Sequence, residues 1–326
     1  MPDELKGLQI DPETETKRLT GFLRHSVHKV LRRQGAVVGI SGGVDSSVVL
    51  ALCVRAFGAD RVAAVILPEH DSEPQSEELA HLAAESLGVE PLHEEITSAL
   101  EGFGCYQRRD AAIQRLFPEF DARAGYRCKI VLPPLQPGDD ALNVYSLTII
   151  APGGKIKTCR LPLPEFLQIV AASNFKQRTR MAMLYYHAEC RHFAVIGMAN
   201  KNEHDQGFFV KYGDGGVDVQ PIVHLYKSQV YQLAEYLNIP PAIQARPPTT
   251  DTYSAYSTQE EFFFRMPFGL LDRIWYAAEC GLSPAQIAAQ LAIDEQQVRS
   301  ALNDIRRKTA TTVYLRTPPL TLAHAV

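Results

Sequence analysis

An α/β fold, a Rossmann-like doubly wound parallel sheet with helices on both faces, is predicted by three observations in this 326-residue chain. The run Ala36-Val37-Val38-Gly39-Ile40 is apolar throughout and ends in a glycine turn. A second run, Val62 to Leu67, stops at Pro68, and a third, Phe193 to Gly197, lies far downstream. Strands without polar alternation are buried on both faces. Helical segments between them complete the pattern of a parallel sheet.

The elements follow in order. Thr16 to Gln34 reads as a helix, because Leu19, Phe22, Leu23, Val27, Val30 and Leu31 recur at helical spacing. After the first strand a helix is expected from about Ser46 to Ala56. After the second, Ser76 to Leu87 reads as a helix stopped by Gly88. From Phe103 to Leu163 the pattern breaks at Pro133, Pro134, Pro137 and Gly138. Tyr145 to Ile150 and Lys155 to Arg160 look like a hairpin around Pro152-Gly153-Gly154. This divides the chain into an N-terminal half-domain (1–102), a β-containing insertion (103–163), a second half-domain (164–255) and a C-terminal helical region (256–326). Helices are expected at Phe166 to Ala188 and at Lys227 to Leu237, the latter ending at Asn238 and Pro240-Pro241. Ser283 to Lys308 shows two capped helix starts, as a helix-turn-helix would. Basic neighbours appear only at Arg306-Arg307-Lys308, so a helical pair packed on the main domain is the favoured reading.

Composition narrows the function classes. Apolar residues make up 46% and charged residues 21%, which provides for a packed core. A net charge of −4 argues against a general nucleic-acid or membrane-surface binder. The start Pro2-Asp3-Glu4-Leu5-Lys6 is polar, and no apolar stretch approaches the ~20 residues of a membrane span. A cytoplasmic protein is expected. The six cysteines form no C-x-x-C pair, so a zinc site is not indicated. Cys53 and Cys190 are expected in the core, and neither Cys105 nor Cys128 has a recognisable His–acid companion.

The chemistry is concentrated at Ser41-Gly42-Gly43-Val44-Asp45-Ser46-Ser47. Glycines let the backbone approach an anion, and a helix N-terminus offers free N–H groups and a positive dipole end. Ser41, Ser46 and Ser47 add hydroxyls, and Asp45 suits a Mg2+ ion carried by a phosphate. The loop lacks the lysine of a Walker A motif and the third glycine of a dinucleotide fingerprint. Four further segments are unusually polar. Arg178 and Arg180, within Asn174 to Met181, diverge by about 200° on a helix, so the two face different ligands unless both are solvated. Glu203, after the third strand, belongs at the sheet's carboxyl edge, where it completes a metal site with Asp45 or stands exposed on a loop. Lys211, Asp214 and Asp218 flank Gly213, Gly215 and Gly216, which suits a loop around a substrate or a plain turn. Lys227, at a helix start, supplies the missing cation, and Thr249, in Arg246 to Asp251, offers a hydroxyl. A surface lysine and a proline-rich loop are the plainer readings.

Together these residues resemble a known family. Ser41 to Ser46 is similar to the pyrophosphate loop of enzymes that cleave ATP to AMP and pyrophosphate. Asn174 to Met181, Phe208 to Gly216, Leu225 to Gln229 and Leu315-Arg316-Thr317-Pro318-Pro319 resemble ammonia-dependent NAD synthetase in order and spacing. The resemblance implies an ATP site of Ser41, Gly42, Gly43, Val44, Asp45, Ser46, Ser47, Leu67, Arg180, Lys227 and Thr249. It implies Mg2+ at Asp45 and Glu203. It places Asn174, Arg178, Met198, Lys211, Asp214 and Asp218 at the second substrate, nicotinic acid adenine dinucleotide. Asp45, Lys211, Asp214 and Lys227 are the implied catalytic set, with Asp214 helping to deprotonate ammonium. A homodimer with substrate across the interface is also implied. The expected reaction is adenylation of the carboxylate, then attack by ammonia to give NAD, AMP and pyrophosphate. Three features depart from the family: Met198 in place of a threonine, Thr258 to Phe264 in place of its usual acidic stretch, and the insertion. They leave a different carboxylic acid as the alternative substrate. A non-catalytic regulator is less consistent with the retained Asp45 and Glu203.

Overall fold

A computed structural model describes residues 7–136, 144–250 and 252–322. Pro2 to Lys6, Pro137, Gly138 and Asp251 lie outside the described residues. Helix α1 (Pro12–Arg24) begins earlier than its apolar pattern suggests, because Asp11 caps Glu13 and Thr14 and Pro12 takes the first helical position. It continues through π-type turns over His25–Val30 and ends before Arg32, whose φ is 55°.

The main sheet is built next. Strand β1 (Ala36–Gly39) leads into α2 (Val44–Phe57), β2 (Val62–Ile66) into α3 (Pro74–Ser86), and β3 (Leu92–His93) into the short α4 (Thr97–Gly102) and α5 (Cys105–Gln114). Strands β4 (Arg127–Val131), β5 (Ser146–Ile150) and β6 (Ile156–Arg160) form a separate antiparallel sheet. The β5–β6 hairpin matches the expected turn at residues 152–154; β4 was not anticipated. The long helix α6 (Leu163–Arg191) returns the chain to the main sheet at β7 (Ala194–Val195). That sheet has the order β3-β2-β1-β7, parallel throughout.

Both faces of the sheet are covered. Ala36 and Val38 of β1 pack with Leu19, Leu23, Val48 and Leu52 on one side, while Val37 packs with Met181, Leu184 and Ala188 of α6 on the other. The remaining helices are α7 (Lys201–Gln206), α8 (Lys227–Tyr236), α9 (Pro241–Ala245), α10 (Phe268–Glu279), α11 (Pro284–Leu291), α12 (Glu295–Thr311) and α13 (Val313–Arg316). Helix α8 joins the first core through Val230, Leu233 and Ala234.

The insertion and the C-terminal region are packed onto this frame. Ile130, Leu147 and Ile149 of the small sheet share a core with Ile113 of α5 and Ile169 of α6. Ile287 of α11 and Val298 and Ile305 of α12 are buried with Leu271, Ile274 and Trp275 of α10, so the two capped helices are a packed pair. Ser283 and Asp294 cap them as expected. Cys190 is exposed, contrary to expectation, because α6 turns it outward one residue before the helix ends; Cys53 is buried. Among the described residues no helix is long and apolar enough to cross a membrane.

The turn after β1 is the tightest point of this frame. Gly42 has φ +72°, and a Cβ there would lie 2.5 Å from the Ser76 carbonyl oxygen and 2.8 Å from Leu79 Cβ. Gly125 is left-handed (φ +87°, ψ 14°), but the nearest atom to a Cβ there is Pro152 Cγ at 3.5 Å, an ordinary contact. Gly125→Ala therefore costs only the left-handed strain, about 1 kcal/mol. Gly42→Ala adds a backbone clash and is expected to cost at least about 2 kcal/mol. Urea unfolding of the two variants checks this, and equal losses would contradict it.

Candidate active site

The carboxyl ends of β1, β2 and β7 open on one cavity of about 620 Å³. The phosphate-type turn forms its floor. Gly43 is the N-cap of α2 with extended backbone, so the first N–H groups of a 14-residue helix face the cavity. Ser46 Oγ donates to the Gly43 carbonyl at 2.9 Å and accepts from the Ser41 N–H at 3.4 Å. Ser47 Oγ donates to the same carbonyl at 2.9 Å and is buried, so it braces the turn from behind. Gly42 also lies behind the turn, against α3.

Three helix N-termini bring charge to this floor. Asp45 stands in the first turn of α2, Glu203 in the first turn of α7, and Lys227 begins α8. Lys227 is buried and its Nζ donates to Asp45 Oδ2. Burial opposes the ammonium charge, but Asp45 and Glu203 outweigh it and hold the lysine protonated. Glu203 is pushed up to about 8, by desolvation first and then by the Asp45 charge. The two acids expected to converge therefore share one electrostatic environment and line one cavity.

Asn200 connects them, and sequence reasoning gave it no role. Its Nδ2 donates to Asp45 Oδ1 at 3.0 Å, and its Oδ1 accepts the Glu203 N–H at 3.1 Å. The Glu203 side chain returns to the Asn200 N–H at 3.2 Å, closing a capping box. Asn-x-x-Glu after a buried strand was the available signal. Gln259 Nε2 adds a 3.2 Å bond to Glu203 Oε1. Lys227 is fixed by its own backbone: its N–H donates to Asn202 Oδ1 at 3.0 Å, and Asn202 donates to Asp272 of α10 at 2.6 Å.

The other expected residues divide into two groups. Leu67, Asn174, Arg180, Met198, Asp214 and Thr249 line the cavity. Arg180 Nε donates to the Leu67 carbonyl at 3.1 Å. Asp214 accepts the Val210 N–H at 2.8 Å and is pushed up to about 6 by burial. Arg178, Lys211 and Asp218 are not brought to the cavity. Arg178 is exposed and donates to the Lys211 carbonyl at 3.3 Å. Lys211 Nζ donates to the carbonyls of Tyr314 and Thr317, at 2.8 and 2.7 Å. Asp218 accepts from Tyr185 Oη at 2.9 Å and from the Val195 N–H at 2.8 Å, so it anchors β7. Arg246, whose role was not anticipated, lines the cavity and donates to Glu73 at 3.1 Å and Ser76 Oγ at 2.7 Å. Among the described residues no group of three or more His, Cys, Asp or Glu side chains is gathered for a metal.

A parallel α/β sheet whose phosphate turn, paired acids and buried lysine meet at the strands' carboxyl ends defines a nucleotide-binding protein. The family model described as NAD synthase matches residues 15–130 and 157–316, and the chain belongs to that family. The stretch between the two matched segments, residues 131–156, contains β5. A curated relative from Mesorhizobium japonicum, "NH(3)-dependent NAD(+) synthetase", is 46% identical over 96% of this chain and 97% of its own length. One of the same description from Thermotoga maritima is 40% identical over 78% of this chain and 84% of its own. The solved NH3-dependent NAD synthetase of Campylobacter jejuni shares the fold, with TM-score 0.61, 22% identity and coverage of 96% of this chain and 100% of that one.

Asn200 supports both the cap and the acid pair, so Asn200→Ala is expected to cost about 1–2 kcal/mol of stability. Asn200→Ser keeps a capping hydroxyl but loses the bond to Asp45. It should therefore match Asn200→Ala in ATP affinity while being the better in thermal unfolding. Calorimetry with ATP and a melting curve compare them; the same ranking in both would refute the double role.

Proposed function

We propose that this chain is an ammonia-dependent NAD synthetase, which amidates the carboxylate of nicotinic acid adenine dinucleotide at the expense of ATP. The observation that carries the reading is the meeting of the α2 N-terminus, Asp45, Glu203 and Lys227 in one cavity. Curated relatives that carry that description over nearly the full length support it.

The chemistry follows from the parts. A carboxylate is a poor electrophile towards ammonia. Its attack on the α-phosphorus of ATP forms an acyl-adenylate and breaks the bond to pyrophosphate. Negative charge grows on the departing pyrophosphate, and the α2 N–H groups and the Lys227 ammonium are preorganised to receive it. Ammonia then attacks the acyl carbon, and AMP leaves with the electron pair of the C–O bond. Asp214, near neutrality in its proton affinity, takes the proton that ammonium must lose.

The donor set suits Mg2+. Asp45 and Glu203 are oxygen donors lining one cavity with the Lys227 ammonium, and burial first, then the Asp45 charge, raises Glu203. Mg2+ is commonly held by one or two carboxylates plus substrate phosphates. Asp45 and Glu203 would hold the ion, which supplies charge neutralisation on the phosphate oxygens. The free cysteines suit a reducing, cytoplasmic compartment. Exposed Leu163, Leu167 and Tyr186 along α6 suit a homodimer.

Purified protein should scatter light as two chains per particle and convert the dinucleotide, ATP and ammonium chloride to NAD, AMP and pyrophosphate in equal amounts. ADP in place of AMP would exclude the adenylate route. Turnover of another carboxylate with none of the dinucleotide would reassign the acyl substrate.

Asp214 acts as a base only when ionised. With its pKa near 6, activity should fall as pH drops through about 6. Asp214→Asn should lose activity about 10²-fold or more and lose this acid limb in what remains. An unchanged limb in the variant would assign it to another group.

A further inference from the structure

At one wall of the cavity, which Lys176 and Thr252 themselves line, a group of charged side chains is packed away from solvent. Lys176, midway along α6, is buried and donates to Glu69 Oε1 at 2.9 Å, Asp71 Oδ2 at 2.7 Å and the Thr252 carbonyl at 2.8 Å. Arg109 of α5, also buried, pairs with the same Asp71 carboxylate and with Asp110 at 2.8 Å. Tyr106, one turn earlier on α5, donates to the second Glu69 oxygen at 2.6 Å. Burial opposes ionisation of Asp71, but the Lys176 and Arg109 charges outweigh it and hold the carboxyl below its usual range.

The partners belong to different segments. Glu69 and Asp71 lie in the loop between β2 and α3, and Thr252 lies in the loop after α9. These segments also wall the cavity: Ser72 and Glu73 from the first loop, Thr249 from the second, Gln177 and Arg180 from α6. Arg180 itself spans from α6 to Leu67 at 3.1 Å and to Ser72 Oγ at 3.5 Å. One ammonium with three fixed acceptors thus sets the spacing of three cavity walls. Buried ion pairs are a poor way to gain stability, because apolar residues of like volume serve as well. What they supply here is a fixed geometry that apolar contacts would leave loose.

We propose that Lys176 and Arg109 are positioning residues for the nucleotide: they clamp the β2–α3 loop and the loop after α9 onto α6 and α5 in the arrangement that binds ATP. Neither touches the reacting atoms. The effect falls on ATP affinity rather than on the chemical step, and α5 becomes part of the nucleotide site. This rests on reading the cavity as an ATP site, which wild-type turnover tests separately.

The experiment is steady-state kinetics, with each substrate varied in turn and with thermal unfolding alongside, on four variants. Arg109→Met removes one charge, and Arg109→Lys keeps it. Lys176→Met removes the hub. Glu69→Gln with Lys176→Met removes the hub at constant net charge, in case the single change does not fold. Arg109→Met and the double variant should raise the KM for ATP tenfold or more, with kcat within about threefold and the KM for ammonium unchanged. Arg109→Lys should recover most of the loss. Folded Arg109→Met and double variants with a wild-type KM for ATP would overturn the inference. So would equal losses in all three KM values that track the melting temperature. Wild-type protein without ATP-dependent turnover would overturn the reading of the cavity, and this inference with it.

Discussion

The Lys227 ammonium must find negative charge, because α8 begins inside the protein and leaves the side chain almost no exposure to water. An unpaired buried charge costs several kcal/mol, so the fold survives only if carboxylates meet it. Asp45 and Glu203 do so from helices that start at neighbouring strand ends. Asp45 and Lys227 are 182 residues apart in the chain, yet both follow from the pairing of β1 with β7 and the packing of α8 beside α2. The charge cluster and the sheet order therefore imply each other. A different strand order would separate the acids from the lysine.

The same balance prepares the site for a polyphosphate. Two carboxylates against one ammonium leave a surplus of negative charge, which adds to burial in raising Glu203. A triphosphate could not approach that surplus unaided. The α2 amides offset part of it at no reorganisation cost, since they are fixed by the helix. The remainder is met by protonation of Glu203 or by a cation that arrives with the phosphates.

What was legible in the sequence was local. The β1 turn announces itself in seven consecutive residues, and Glu203 follows a buried strand in a capping pattern. Long-range ties left no such mark. Lys176 looks like one more cation in a polar helix face, and only the fold shows it meeting Asp71, 105 residues away. Strand β3 has two residues, too short for any periodicity, and β4 alternates charged and apolar residues inside a segment dominated by prolines. Helix α1 started early because a cap outranked the apolar spacing on which its boundary was judged.

Lys211 shows why residue type alone misplaces a role. Tyr212, next to it, has φ 62°, and the turn that follows sends the lysine towards the chain's last helix. Its ammonium is taken up by two carbonyls there, while Arg316 reaches back to the His204 carbonyl at 2.9 Å. The tail residues between these ties, Thr312, Tyr314 and Leu315, then line the cavity. Lys211 thus acts on the site by holding a wall, as Asp218 does by holding β7. Asp45, Glu203 and Lys227 stand in the first turns of helices, where the backbone fixes them. Lys211 and Asp218, on loops, are spent on keeping their surroundings still, because an unbraced loop offers little positional precision.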